Sequence, residues 1–239
     1  MGMGNKPGVR ILPRLINTVM LRTHSGVLLF LILSFVASMI IFIILFSAVI
    51  FSIRTWIRKY KPFDLLVFEK LQPLVSSRNN HLMESLTFFG KHLFLVPANL
   101  FLIFYFLLIR NDGWSSLRAA AVSISSLGLM FVLKQLFHRK RPVLPLLGMA
   151  KGLSFPSGHA IMSVSFFGFL ISLIHESSWP PLVKMPVIFL LVILILLIGF
   201  SRVYLRVHYP SDVLTGFIVG LAWLLVSLSV LNSAHRIIS

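Results

Sequence analysis

"MPVIFLLVILILLIGFSRVYLRVHYPSD", residues 185–212, changes character near its middle. From Met185 to Ser201 it has no charge and is almost entirely Leu, Ile and Val. From Arg202 onward it carries two arginines, a histidine and an aspartate. A helix on the surface of a soluble protein keeps one polar face, and this run has none. A membrane-crossing helix needs about 17–25 apolar residues. The run is therefore read as a span that ends where its charges begin.

The rest of the 239-residue chain agrees. It is 57% hydrophobic and 12% charged, roughly half the charged share of a soluble domain. Five further runs qualify as spans. With the first they give approximately 27–53, 93–109, 119–137, 157–174, 185–201 and 213–234. The expectation is an all-α, six-transmembrane helical bundle forming one integral-membrane domain over 1–239. The apolar run that opens at Val27 is 27 residues long, beyond the apolar core of a signal peptide, and is read as a retained helix. Gly216 and Gly220 in the last span are spaced for close helix packing. There is no cysteine, so thiolate chemistry and disulfides are excluded.

Residues 54–92 differ from the spans. They hold seven basic residues and three of the six acids, with Leu65, Leu66, Phe68 and Leu71 at helical spacing. This segment, between the first and second spans, is expected to form an amphipathic helix on the membrane surface. The formal net charge is +16, from 22 Lys+Arg against 6 Asp+Glu. On a membrane protein such charge meets the headgroups of the lipid bilayer, and no nucleic-acid partner is expected.

Counting spans fixes a geometry. Span three ends near Phe137, span four leaves from Ser157, span five returns near Ser201 and span six departs at Val213. The stretches "KQLFHRKRP" (134–142), "PSGH" (156–159) and "SRVYLRVHYPSD" (201–212) therefore share one membrane face. That face gathers Lys134, Arg141 and Arg202, the histidines His159 and His208, and Asp212.

These residue types suit a phosphate. Arginine offers a planar fork and lysine a point charge to phosphate oxygens. Ser157 and Gly158 open a helix whose unpaired N–H groups bind anions, and the serine either caps the helix or donates its hydroxyl. A neutral imidazole can attack phosphorus. His208 and Asp212, four residues apart, can touch if the turn through Pro210 curls back, and the carboxylate would then fix the ring's tautomer. His159 would protonate the leaving oxygen and later activate water. Three cations against one carboxylate would repel a divalent ion, so neither metal nor cofactor is expected. Arg139, Lys140 and Arg206 are read as topology-setting or headgroup cations. The remaining histidines, at 24, 81, 92, 138, 175 and 235, are given no role.

The three blocks, in this order, resemble the signature of the type-2 phosphatidic acid phosphatase superfamily: K-x6-RP, PSGH and SR-x5-H-x3-D. All eleven fixed positions are matched: Lys134, Arg141, Pro142, Pro156, Ser157, Gly158, His159, Ser201, Arg202, His208 and Asp212. The resemblance implies a metal-independent lipid phosphatase. His208 would be the nucleophile forming a phosphohistidine, with Asp212 behind it. His159 would be the acid, and Lys134, Arg141, Ser157, Gly158 and Arg202 would hold the phosphate. The same signature occurs in soluble vanadium haloperoxidases, which the spans argue against, and in lipid phosphotransferases. A transporter is the reading from another class, but it expects polar groups at mid-membrane.

The implied partner is a membrane lipid phosphate: phosphatidylglycerol phosphate, phosphatidic acid, undecaprenyl pyrophosphate or a lipid A phosphate. Orientation signals conflict. The site face carries 14 Lys+Arg and the other face 8, which by itself favours a cytoplasmic site. Discounting three phosphate-binding cations leaves 11 against 8. The basic tail before span one and the resemblance to bacterial members place the site at the outer face of a bacterial inner membrane.

Overall fold

The computed structural model describes residues 52–53, 55–56, 59–143, 145–146 and 152–238. By its contacts the chain divides into two compact units, Met1–Thr55 and Trp56–Ser239. The expected first span, 27–53, lies almost wholly outside the described residues. All eleven signature positions fall in the second unit.

Among the described residues every regular element is helical, with no strand. In chain order they are α1 (Lys61–Leu71), α2 (Ser77–Phe88), α3 (His92–Phe104), α4 (Gly113–Phe137), α5 (Gly158–Glu176), α6 (Pro181–Tyr204) and α7 (Pro210–Ile238). A 3-10 turn, Gln72–Leu74, follows α1, and α3 widens into a π-helical turn, Tyr105–Ile109. Five stretches are long and apolar enough to cross a membrane: Ser77–Ile109, Gly113–Phe137, Gly158–Glu176, Pro181–Tyr204 and Pro210–Ile237. They match the five later spans expected from sequence: four are contained and extended at one or both ends, and the one expected at 157–174 runs from Gly158 to Glu176, with Ser157 as its cap.

The sequence punctuates these helices with ordinary capping chemistry. Asp112 accepts the Ser115 N–H at 2.9 Å and caps α4, and Ser76 accepts the Asn79 N–H at 3.2 Å and caps α2. Prolines stand at the first residue of α6 and of α7, where their missing N–H would have had no partner. Arg206 takes a left-handed backbone, φ 54°, and swings the chain from α6 into the short link before α7.

Helix α5 is the centre. Its Val164, Phe166 and Phe167 pack with Leu95 of α3 and with Ile195 and Ile198 of α6. Its Phe169 meets Ala119 and Val122 of α4 and Leu224 of α7. The outward faces of the bundle carry Phe101, Ile124, Phe189, Leu190 and Ile218, all exposed, as lipid-facing helices require. At the end away from Gly158, Arg118 of α4 makes a two-pronged pair with Glu176 of α5, at 2.9 and 2.7 Å. Glu176 is half exposed, while the arginine is buried.

Two helices, α1 and α2, fill most of the segment expected to hold one amphipathic helix. Of its apolar residues, Phe68 and Leu71 turn inward, with Phe68 packed against Ala160, Val203 and Val213. Leu65 and Leu66 are exposed. Asp64, one helical turn before Phe68, shares the inward face and is fully buried.

Close packing of α7 on α5 depends on the two glycines singled out from the sequence. A Cβ on Gly216 would lie 2.8 Å from the Ala160 Cβ and 2.9 Å from the Ser157 carbonyl oxygen. One on Gly220 would lie 3.1 Å from the Ile161 carbonyl. Backbone cannot yield as a side chain can. Gly216→Leu is expected to destabilise the protein by about 1–3 kcal/mol, read as a lowered thermal midpoint in detergent. Gly113→Ala, where an added Cβ meets nothing within 4 Å, should leave the midpoint unchanged.

Candidate active site

Three connections meet where α4 ends, α5 begins and α6 hands over to α7. The chain from His138 to Ser157 is stitched to the α6–α7 link at several points. Ser154 N donates to the Arg139 carbonyl at 2.8 Å, Leu146 N to the Leu205 carbonyl at 3.0 Å, and Ser157 N to the Asp212 carbonyl at 3.0 Å. Arg141 donates from Nη1 to the Val207 carbonyl at 2.9 Å and from Nε to the Gly152 carbonyl at 3.2 Å. The three sequence blocks thus form one surface, as span counting required.

His208 is buried. Its Nδ1 lies 2.7 Å from the Ser154 carbonyl oxygen, a contact that places the proton on Nδ1 and frees the Nε2 lone pair. Nε2 sits 3.4 Å from Nη1 of Arg141. Asp212, expected to touch the ring and fix its tautomer, stands back from Nδ1 at 3.7 Å. Its Oδ2 is taken by the Tyr209 N–H at 2.9 Å and its Oδ1 by Arg139 at 2.5 Å. Asp212 therefore acts on the ring through its charge, and the backbone of Ser154 orients it. Burial lowers the His208 pKa to about 4. The Asp212 carboxylate opposes that fall, while Arg141 and Arg202 reinforce it. The ring is neutral at physiological pH, as a nucleophile or base must be.

A cavity of about 420 Å³ opens onto this imidazole. Its polar end is formed by His208, His159, Gly158, Lys134 and Arg141. The Nε2 of His159 is buried without a hydrogen-bond partner, so it is available to a group entering the cavity. Lys134 reaches back to the Leu153 carbonyl at 2.9 Å. Burial lowers the pKa of Arg141 below the usual guanidinium value, with Asp212 opposing that shift. From this end the cavity runs between α3 and α4 along Leu95, Val96, Leu100, Ile103, Ile124 and Leu127. One end is charged and the other has the chemistry of an acyl chain's surroundings.

The remaining expected residues lie behind the cavity wall. The Ser157 side chain is fully buried and caps α5, accepting the Ala160 N–H at 3.5 Å. Arg202 is buried beside Thr87 of α2, to which Nη1 donates at 2.8 Å, and its Nε has no partner. Thr87 also accepts from Ser201 at 3.0 Å. A Cβ on Gly90, between α2 and α3, would meet the His159 ring at 2.9 Å. The α2–α3 break thus covers His159, a role no motif in the sequence announces.

Two residues read as headgroup or topology cations are placed otherwise. Arg139 bonds Asp212, Asp64 and Ser211 and stacks on Tyr209, its guanidinium carbon 4.0 Å from the ring centre. Arg206 donates to the Phe68 carbonyl at 3.2 Å and to the Gln72 side chain, tying α1 to the α6–α7 link. Both are recruited because a carbonyl or carboxylate buried there needs a donor. Asp64 and Ser154 were also missed. Their only sequence signal is an acid placed between apolar residues and a serine preceding the PSGH block.

Comparison with known proteins gives a consistent result. The sequence pattern of the PAP2 superfamily matches residues 115–236. Phosphatidylglycerophosphatase B of Bacillus subtilis (strain 168) is 31% identical over 143 residues, covering 59% of this chain and 70% of that protein. The fold resembles the crystal structure of the first transmembrane PAP2 type phosphatidylglycerolphosphate phosphatase, from Bacillus subtilis. That match has a TM-score of 0.65 and 25% identity, and covers 73% of this chain and 87% of the other. LpxE of Aquifex aeolicus shares the fold, with a TM-score of 0.52 and 23% identity over 69% of this chain and 94% of its own.

The state of His208 is directly measurable. Histidine-selective NMR should find its ring titrating near pH 4 rather than near the usual value of about 6.5. Asp212→Asn removes the one contribution that raises this pKa, so the midpoint should fall further. A midpoint that rises in Asp212→Asn would contradict the charge arrangement described.

Proposed function

Because this chain belongs to the PAP2 superfamily, we propose that it is an integral-membrane lipid phosphate phosphatase working through a phosphohistidine on His208. The observation that carries this reading is the cavity. It joins His208, His159, Lys134 and Arg141 at one end to an apolar channel between two lipid-facing helices at the other. A phosphate on a hydrocarbon tail matches both ends together.

The lipid phosphate enters with its phosphoryl oxygens against Lys134, Arg141 and the N–H groups that open α5 at Gly158, and Arg202 adds its positive charge from behind the cavity wall. Ser157 caps that helix and keeps its own hydroxyl proton to give. The Nε2 lone pair of His208 attacks phosphorus, and the bond from phosphorus to the lipid oxygen breaks. His159, protonated beside the bound phosphate, passes its proton to that oxygen and releases the lipid alcohol. The neutral His159 then takes a proton from water as the water attacks phosphorus. The P–N bond breaks, its electron pair returns to Nε2, and inorganic phosphate leaves. The Ser154 carbonyl keeps the Nδ1 proton in place, and Asp212 offsets the ring's positive charge in the intermediate. The fixed cations supply the charge stabilisation that phosphoryl transfer needs, so the proposed reaction runs without a metal ion.

Among substrates, phosphatidylglycerol phosphate is placed first, because phosphatidylglycerophosphatase B and the solved Bacillus subtilis structure bear that activity in their names. Phosphatidic acid and undecaprenyl pyrophosphate are the alternatives. In the same proposal residues 27–53 form a sixth span. The site then faces outward from a bacterial plasma membrane.

Phosphate release across these lipids in detergent micelles tests the reaction. Turnover is expected with a chelator present and is expected to be blocked by vanadate, and His208→Ala should lose at least about 10³-fold in kcat. Rapid quenching should trap an acid-labile, base-stable phosphoenzyme that His208→Ala lacks. Activity that disappears with the chelator and returns with magnesium would overturn the mechanism. Reporter fusions at both termini test orientation, and two external termini would reverse the proposed face.

A further inference from the structure

Behind His208, on the side away from the cavity, two carboxylates share one guanidinium. Arg139 Nη1 donates to Asp212 Oδ1 at 2.5 Å and to Ser211 Oγ at 2.8 Å, and Nη2 donates to Asp64 Oδ2 at 2.7 Å. Asp64 also accepts the Ser211 N–H at 2.9 Å and the Ser211 hydroxyl at 2.7 Å. Asp64 and Asp212 are both fully buried, and Arg139 is nearly so. Two anions enclosed this closely repel strongly unless a cation stands between them. Arg139 fills that place, with Tyr209 beneath its plane.

The main chain of Arg139 works on the other partner of the histidine. Its carbonyl accepts the Ser154 N–H at 2.8 Å, and the Ser154 hydroxyl is shared between the Lys140 carbonyl at 3.0 Å and that of Arg139 at 3.2 Å. The Ser154 carbonyl in turn meets His208 Nδ1 at 2.7 Å. One residue therefore anchors both groups that face Nδ1: the Ser154 carbonyl through its backbone and the Asp212 carboxylate, held at its other oxygen Oδ1, through its side chain.

We propose that Arg139 is a positioning residue for His208, bridging Asp64 and Asp212 and anchoring Ser154 so that the imidazole meets two fixed acceptors as its far nitrogen is phosphorylated. Asp64 belongs to this assembly, which makes α1 part of the catalytic support. Charge accounting favours the arrangement. Asp64, Asp212 and Arg139 together carry one negative charge, and the ring cation formed on phosphoryl attack brings the group to zero. The cations that hold phosphate, Lys134, Arg141 and Arg202, are left to the phosphate. The proposal rests on the reading of His208 as nucleophile.

The test is a substitution series on the full-length protein in micelles, read as kcat and KM separately. Arg139→Met should lower kcat by about 30-fold or more while KM stays within about threefold, because the phosphate-binding groups are untouched. Arg139→Lys should recover part of the loss, as a point charge replaces the fork. Adding Asp64→Asn to Arg139→Met removes one of two facing anions, so the double variant should be at least fivefold more active than Arg139→Met alone. A purely structural role predicts that the second substitution adds damage. A double variant no better than the single, or a loss confined to KM, overturns the proposal. Should Arg139→Met fail to fold, the same comparison between Arg139→Lys and Asp64→Asn/Arg139→Lys decides it. His208→Ala runs alongside. If it stays active, the nucleophile assignment fails. If it is inactive while Arg139→Met is unimpaired, only the role of Arg139 fails.

Discussion

The contact between His208 Nδ1 and the Ser154 carbonyl, 2.7 Å long, joins the chain before α5 to the chain before α7. A buried imidazole with neither nitrogen held would turn about its side-chain bonds and offer either tautomer. Held at Nδ1, it presents Nε2 alone to the cavity. The contact requires that two links, 54 residues apart in sequence, stay in register. Much of the surrounding hydrogen bonding serves that register: Ser154 on Arg139, Arg141 on Val207, Ser157 on Asp212. The helices bring these links to one face, and the links set the ring.

The position of the site at the end of the bundle follows from solvation. A charge within the apolar core of a bilayer is costly, and the same charge near the edge can reach water or headgroups. Yet a phosphate held by cations in bulk water gains little, because water screens the attraction. Lys134 and Arg141 lie between these limits, partly withdrawn from solvent at the rim of an apolar wall, while Arg202 is buried behind it. Their attraction for an anion is strengthened there without the full cost of burial. Asp64 and Asp212 go further inward and are tolerated because every oxygen they present has a donor.

How far this was legible in the sequence depends on how local the signal is. The later spans were readable because each is a continuous apolar run, and their boundaries moved outward because capping residues such as Asp112 lie beyond the apolar stretch. The gathering of His159, His208, Lys134 and Arg141 was readable because alternation of spans is geometry. The role of Arg139 was not. Within "KQLFHRKRP" nothing local separates its guanidinium from that of Lys140's neighbour Arg141. Which one turns toward carboxylates depends on Asp64, 75 residues earlier. Asp64 was hidden for the same reason: an acid among apolar residues reads as a solvent-facing position until its partner is known. The expected pairing of His208 with Asp212 was displaced for a related cause. Once Arg139 and the Tyr209 N–H claim the carboxylate, a backbone carbonyl takes the ring nitrogen, and carbonyls leave no trace in a sequence.

The lateral opening of the cavity has a kinetic consequence. Its walls include Val96 and Leu100 on α3 and Ile124 and Leu127 on α4, residues that are exposed on the lipid-facing side of the bundle. Under the proposed function, a guest with a hydrocarbon tail would enter there by diffusing in two dimensions, without first leaving the bilayer. The quantity that saturates such a site is the guest's mole fraction in the surface, not its concentration in the volume. Diluting the membrane with inert lipid should therefore slow the encounter even when the total amount of guest per litre is held constant.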